Sequence, residues 1–253
     1  MKLSIILPAI RVQNWKSLYE TACTAVGKYA DDFEMILVGP TPPLASDIFP
    51  ENFIWIEDWG APARCAQKGA AEARGEYMTW GSDDGVFLGN SLEESVDVLE
   101  GKKRNTVLTM RYAEGGNSPG PEYWIAHTHA DLRLPGIPSD YRIAPVGMYT
   151  TSYFKELGGW DCRFEHLNMC CHDLAFRVQN DGGELLLSPS EVMSCTWDVQ
   201  CEEWQPIGAA YRENDLPLFN EIYTKVYDPS RISIEYNNWE SSPSRFVRRF
   251  GNG

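Results

Sequence analysis

The chain has 253 residues, 43% of them apolar, enough for one sizeable core, and neither an internal repeat nor a low-complexity linker divides it. Its formal net charge of −14 excludes broad duplex nucleic-acid binding, which needs a Lys and Arg surface to displace counterions. The seven cysteines are odd in number, and the first apolar run, Leu3 to Ala9, is too short for a signal core or a membrane span. The expectation is therefore reduced thiols in a cytoplasmic protein without a transmembrane segment.

Leu3-Ser4-Ile5-Ile6-Leu7-Pro8 reads as a buried first strand and Phe33-Glu34-Met35-Ile36-Leu37-Val38-Gly39 as a second. The stretch Trp15 to Tyr29 between them is patterned as a helix, which makes a βαβ unit. Phe53 to Ile56 predicts a short third strand, and Gly60 to Gly75 an Ala-rich helix closed by Gly75. Next, Gly75-Glu76-Tyr77-Met78-Thr79-Trp80 climbs as a strand and stops at Gly81-Ser82-Asp83-Asp84.

Two adjacent carboxylates repel unless something offsets them, and a hard divalent cation bridging to phosphate oxygens does so. A strand end is also where open parallel sheets bind ligands. The plainer alternative is an Asp-rich turn, which Asp and Gly favour locally.

Residues Ala113 to Arg142 form a long Gly- and Pro-rich segment, a length associated with lids and binding surfaces. Tyr123, Trp124 and, further on, Trp160 offer flat faces that could stack on a ligand ring, with core packing as the alternative. His127, His129 and Asp131 read as loop residues. Cys170-Cys171-His172 lacks an accompanying Cys-x-x-Cys pair, so packing thiols explain it better than zinc does. His166 and His172 flank a later helical segment, where they could orient a ligand or serve the structure. From Ser190 onward the strand and helix alternation gives way to Trp, Pro and acids, an elaboration expected to pack on the main domain. The basic-aromatic stretch Ser244 to Phe250 reads as a frayed terminus, with peripheral contact to anionic lipid as the other option.

Four of these segments, in this order, resemble the family 2 glycosyltransferases. Ile5-Ile6-Leu7-Pro8-Ala9-Ile10-Arg11 is similar to the family's opening strand and Pro-Thr-Tyr-Asn, and Ala63-Arg64-Cys65-Ala66-Gln67-Lys68-Gly69 to its Ala-Arg-Asn-x-Gly helix. Gly75-Glu76-Tyr77-Met78 leading to Ser82-Asp83-Asp84 resembles the strand that delivers Asp-x-Asp. Gly158-Gly159-Trp160-Asp161 followed by Asp173-Leu174-Ala175-Phe176-Arg177 resembles the Gly-Gly-Phe-Asp and Asp-Leu-x-x-Arg segment. The chain departs from the pattern at Ser82, which replaces the first acid, and at Val38-Gly39-Pro40, which replaces an Asp-Asp. It departs again at Cys170-Cys171, which replaces a Glu-Asp pair.

The resemblance implies an α/β chain forming a single GT-A (Rossmann-like) domain, with a mixed, mostly parallel sheet flanked by helices. A nucleotide-binding half would span about 1–110, an acceptor-side half 111–190 and the elaboration 191–253. It implies a metal-dependent, inverting transfer from a nucleotide sugar, UDP-linked above other bases, to a hydroxyl acceptor, a saccharide first among these. Mn²⁺ or Mg²⁺ would sit on Asp84 with Asp83, while Pro8, Ala9, Ile10, Arg64, Lys68, Ser82 and Asp83 would hold the donor. Asp173 would be the base, with Glu165 and Asp161 as fallbacks, and Trp160, Tyr123, Trp124 and His172 would meet the acceptor. A non-catalytic member that keeps the fold and binds a nucleotide or glycan is the alternative, and a sugar-nucleotide pyrophosphorylase a more distant one.

Overall fold

Leu3–Pro8 (β1) and Phe33–Gly39 (β2) are almost wholly buried, as strands of a parallel sheet covered on both faces must be. The structure, a computed structural model, describes residues 1–114, 124–126, 142, 144–195 and 204–225. Helix α1 (Trp15–Ala25) connects β1 to β2. It ends earlier than its pattern predicts, because Gly27 at φ +51° turns the chain into a 3₁₀ turn, Gly27–Tyr29. Strand β3 (Phe53–Glu57) adds beside β2, and α2 (Pro62–Glu72) leads to β4 (Tyr77–Trp80).

Helix α2 opens on Pro62, whose missing N–H costs nothing at that position, and packs a face of small residues against the sheet. At Gly69 an added Cβ would lie 2.7 Å from Ile6 Cγ2, so the small side of the helix sets how closely it approaches β1. Gly75 does not cap the helix with a left-handed turn, as the sequence suggests. Its Cβ would meet the Ser4 backbone nitrogen at 2.5 Å, so a glycine is needed there for close passage over β1. Beside it Glu34, buried in β2, accepts from Ser4 Oγ (2.7 Å) and from Arg74 Nε (2.8 Å) and Nη2 (2.6 Å). Burial pushes the Glu34 carboxyl up, but Ser4 and Arg74 outweigh it and hold it below its usual range.

After β4 come β5 (Gly85–Phe87), α3 (Ser91–Leu99), β6 (Thr106–Glu114), β7 (Trp124–Ala126), β8 (Gly147–Thr150) and α4 (Thr151–Glu156). They are followed by α5 (Leu167–Asn180), β9 (Glu184–Cys195), α6 (Trp204–Ala210) and α7 (Leu216–Asn220). The sheet runs β3-β2-β1-β4-β8-β6-β9-β5, with β7 paired to β6. Strands β1 to β4 are mutually parallel, and β8 then enters antiparallel to both β4 and β6. The chain winds outward from β1 to β3 and returns on the other side of β1 as β4. That reversal opens a crevice at the carboxyl ends of β1 and β4.

Alternate residues of β1 feed two cores. Ile5 and Leu7 join Trp15, Leu18 and Leu92 on one face, and Ile6 joins Trp80, Phe154 and Trp160 on the other. Helix α5 is buried from Met169 to Val178, so it lies inside the molecule. The expected C-terminal elaboration covers it: Phe219 and Tyr223 set their rings 5.8 Å and 4.9 Å from that of Phe176. Among the described residues, no helix is long and apolar enough to cross a membrane.

Candidate active site

The crevice between β1 and β4 deepens into a cavity of about 380 Å³. Its floor is the turn after β1, Pro8 to Arg11, together with Trp80 to Asp84 after β4. Val38 to Pro40, Gly60, Pro62 and Cys65 form one wall, and His166 to Asn168 with Ile207 form another. The expected donor residues Pro8, Ala9, Ile10, Ser82 and Asp83 and the expected metal acid Asp84 all line it.

The two acids have different surroundings. Asp83 is 2% exposed and its oxygens are taken up. Oδ2 accepts from the backbone N–H of Ile10 and of Arg11, each at 2.6 Å, and Oδ1 from Arg11 Nη1 at 2.7 Å. Asn14 donates to its backbone carbonyl at 3.0 Å. Asp83 therefore fastens the turn after β1, and its carboxylate oxygens are taken up by that turn's own donors. Asp84 accepts from the hydroxyl of Ser82, the residue that stands where an acid was expected. Burial pushes the Asp84 carboxyl up, against the opposing pull of Ser82 and Arg11.

Among the described residues, no three His, Cys, Asp or Glu side chains cluster tightly enough to hold a metal by themselves. One carboxylate with a neighbouring hydroxyl does suit Mg²⁺ or Mn²⁺ where the substrate's phosphate oxygens complete the shell. Asp84 and Ser82 thus offer oxygens that a divalent cation carried in with a phosphate group would fit, while the Asp83 oxygens are already taken up.

The remaining expected residues are placed as follows. Arg64 and Lys68 both bind Asp58, a buried acid missed in the sequence: Arg64 Nε at 3.0 Å and Lys68 Nζ at 3.1 Å. Burial pushes Asp58 up, but Arg64, the Gly60 N–H and Lys68 hold it below its usual range. Neither cation lines the cavity. Asp173 is in the core, accepting from Arg177 Nε at 3.0 Å and from the Tyr223 hydroxyl. Asp161 is clasped by Arg163 through Nε at 2.9 Å and Nη2 at 2.6 Å. Glu165 is buried at the entry to α5. None of these three carboxylates lines the cavity.

Two acceptor-side expectations are corrected. Trp160 is fully buried, edge-on to Trp80 at 4.9 Å, because the tight Gly158-Gly159 turn, both at positive φ, drives its ring into the core. His172 is buried on α5, its ring 6.5 Å from Phe219, and burial lowers its pKa to about 4. Of Trp124 only the backbone is described, in β7. Tyr123, His127, His129, Asp131 and the stretch Ser244 to Phe250 lie outside the described residues.

Asp215 was not foreseen. It sits in a π-helical turn, Tyr211–Asp215, and is fully buried. Its carboxylate accepts from the N–H of Glu165 (2.8 Å), the N–H of His166 (2.7 Å) and Asn214 Nδ2 (2.8 Å). Burial outweighs those bonds and raises its pKa to about 6. The C-terminal elaboration thereby holds the turn that forms a wall of the cavity.

A β1–β4 crevice at the switch point, an acid-locked turn after β1 and a second acid after β4 belong to an α/β protein of the GT-A glycosyltransferase fold. No family model and no curated protein sequence matches the chain. Solved structures do. S. aureus TarS in complex with UDP-GlcNAc superposes with a TM-score of 0.58 at 13% identity, over 96% of this chain and 73% of that one. GalNAc-T7 with UDP, GalNAc and Mn²⁺ gives a TM-score of 0.62 at 11% identity, over 96% and 56%. TarS 1–349 gives 0.57 at 14% identity, over 78% and 60%. The chain thus covers between 60% and 73% of the TarS 1–349 structures and 56% of GalNAc-T7.

Proposed function

We propose that the chain is a glycosyltransferase that uses a nucleotide sugar, a UDP-sugar first among these, and transfers the sugar to a hydroxyl of a saccharide acceptor. The observation that carries this reading is the pairing of Asp83 and Asp84 at the switch-point cavity, one acid holding the turn after β1 and its neighbour left beside the space a diphosphate would fill. The fold matches include proteins solved with UDP, with UDP-GlcNAc and with Mn²⁺.

In the proposed reaction the bond from the sugar's anomeric carbon to the diphosphate oxygen breaks. A bond to the acceptor oxygen forms on the opposite face, which inverts the centre. A divalent cation held by Asp84 would offset the charge left on the diphosphate. The Pro8 to Arg11 turn would grip the nucleotide side, its backbone held in place by Asp83. The acceptor's proton needs a base. Of the three carboxylates first considered, we assign the base to Glu165 because it adjoins the cavity-lining His166; buried outside the lining in this structure, its side chain must turn toward the acceptor to take the proton.

The occupied state of Asp161 and Asp173 also favours a second reading, a binding protein of the same fold without turnover. A thermal-shift screen of UDP-, GDP-, CMP- and dTDP-sugars with and without Mn²⁺ tests the first half, since stabilisation follows ligand occupancy. Release of nucleoside diphosphate in the presence of saccharide acceptors tests the second. Stabilisation without release selects the binding protein, and no stabilisation by any donor removes both readings.

A further inference from the structure

His166 is the imidazole on the cavity wall, and the structure fixes both its position and its proton. It is the N-cap of α5: Nδ1 accepts from the Asn168 N–H at 2.9 Å. A ring nitrogen that accepts carries no hydrogen, so in the neutral ring the proton is on Nε2, which must then donate. Burial lowers the pKa of His166 to about 4, so the ring is uncharged at neutral pH. Three further contacts fix its pose: the His166 backbone N–H on Asp215 Oδ2 at 2.7 Å, the Glu165 backbone N–H on Asp215 Oδ1 at 2.8 Å, and the Tyr211 ring edge-on at 5.9 Å. Among the described residues Nε2 has no hydrogen-bond partner.

We infer that His166 contacts the ligand, with Nε2–H donating to an acceptor oxygen of the bound nucleotide sugar, and that Asp215 is the positioning residue that holds it there. The inference rests on the function proposed above, since it takes the cavity's occupant from that reading. A neutral donor suits this wall. It binds an oxygen without adding a positive charge that would compete with a cation for the diphosphate, and its low proton affinity makes it a poor base. The oxygen belongs either to the diphosphate or to the sugar, and the ligand series below separates the two.

The test uses His166→Asn. Asparagine is as good an N-cap as any residue and can still accept from the Asn168 N–H, but its shorter side chain cannot reach where Nε2 does. Affinities for uridine, UDP and UDP-GlcNAc, with Mn²⁺ present, are measured by calorimetry on the full chain beside its melting temperature. The expected result is an unchanged melting temperature and about tenfold weaker binding, the scale of a lost hydrogen bond to a charged or strongly polar oxygen. Weakening shared by UDP and UDP-GlcNAc places the oxygen on the diphosphate, and weakening confined to UDP-GlcNAc places it on the sugar. Equal affinity of variant and wild type for all three ligands overturns the inference while leaving the proposed function intact. A wild-type protein that binds none of them overturns the proposed function and this inference with it. Long-range ¹H–¹⁵N spectra of histidine-labelled protein give an independent check: the signal lost in His166→Asn must be that of an Nε2–H tautomer, and an Nδ1–H tautomer refutes the geometry.

Discussion

Replacing Asp83 with alanine should unfold the turn after β1 before it touches any metal. The carboxylate satisfies two backbone N–H groups at 2.6 Å and the Arg11 guanidinium at 2.7 Å, at a position 2% exposed. Each buried donor left without its acceptor costs about 1–3 kcal/mol. Breaking a buried ion pair from one side costs about 3–5 kcal/mol, and the contributions overlap because they share one group. A net loss of about 3–5 kcal/mol is expected. For a chain of this size that lowers the melting temperature by roughly 6–20 °C. Asp84→Asn should behave in the opposite way, with a melting temperature within a few degrees of wild type and loss of the extra stabilisation that Mn²⁺ gives with a nucleoside diphosphate. Differential scanning fluorimetry of both variants, with and without Mn²⁺ and UDP, reads the two effects separately. If Asp83→Ala melts like wild type while losing its Mn²⁺ response, Asp83 is a metal ligand and the division of labour argued here is wrong.

Three other outcomes follow from buried carboxylates. Asp173→Asn should lower the urea midpoint substantially, because Arg177 would lose its anion inside the core, and a variant that keeps its midpoint but loses turnover would return Asp173 to the chemistry. Asp58 and Glu34 are both held below their usual range, so each contributes stability above its unfolded pKa that disappears as pH falls through the lower folded value. Asp58→Asn should therefore lower stability at pH 7 and flatten its decline in acid below about pH 4, as measured by urea titration at several pH values. Asp215 has the opposite sign. Its folded pKa is about 6 against an ordinary value of 3.8, so the folded chain binds the extra proton, and this group's contribution falls as pH rises between those values. Asp215→Asn should remove that slope from melting temperatures taken between pH 4 and 6.5, and an unchanged slope would mean another group produces it.

The strands and the position of the crevice were legible because their causes are local. Parallel strands buried on both faces must be continuous apolar runs, as Ile5-Ile6-Leu7 and Met35-Ile36-Leu37-Val38 are, and a strand ending in two acids announces itself by composition. The partners of the charges were not legible, because they depend on contacts between residues far apart in the chain. Arg64 and Lys68 have the right helical spacing to reach a phosphate, but Asp58, six and ten residues back, takes both. Gly75 has the composition of a helix cap, yet it is needed because Ser4, 71 residues away, passes against it.

The base shows the same limit at the site itself. Motif alignment ranks Asp173 first, because it counts residues along α5 from a Gly-Gly turn. A helix, however, presents a residue to the cavity only within its first turn here, at Leu167 and Asn168, and Asp173 lies more than a turn deeper, facing Arg177 and Tyr223. What decides which residues reach the ligand is where α5 begins, and that is set by the His166 cap together with Asp215, a residue 49 positions downstream in a turn with no motif of its own. A start one turn later would bring Cys170 and Cys171 to the cavity in place of Leu167 and Asn168. The C-terminal segment, which reads in sequence as an appendage, therefore helps select the cavity wall formed by His166 to Asn168. For this reason exchanging Asp215 should alter ligand affinity as well as stability.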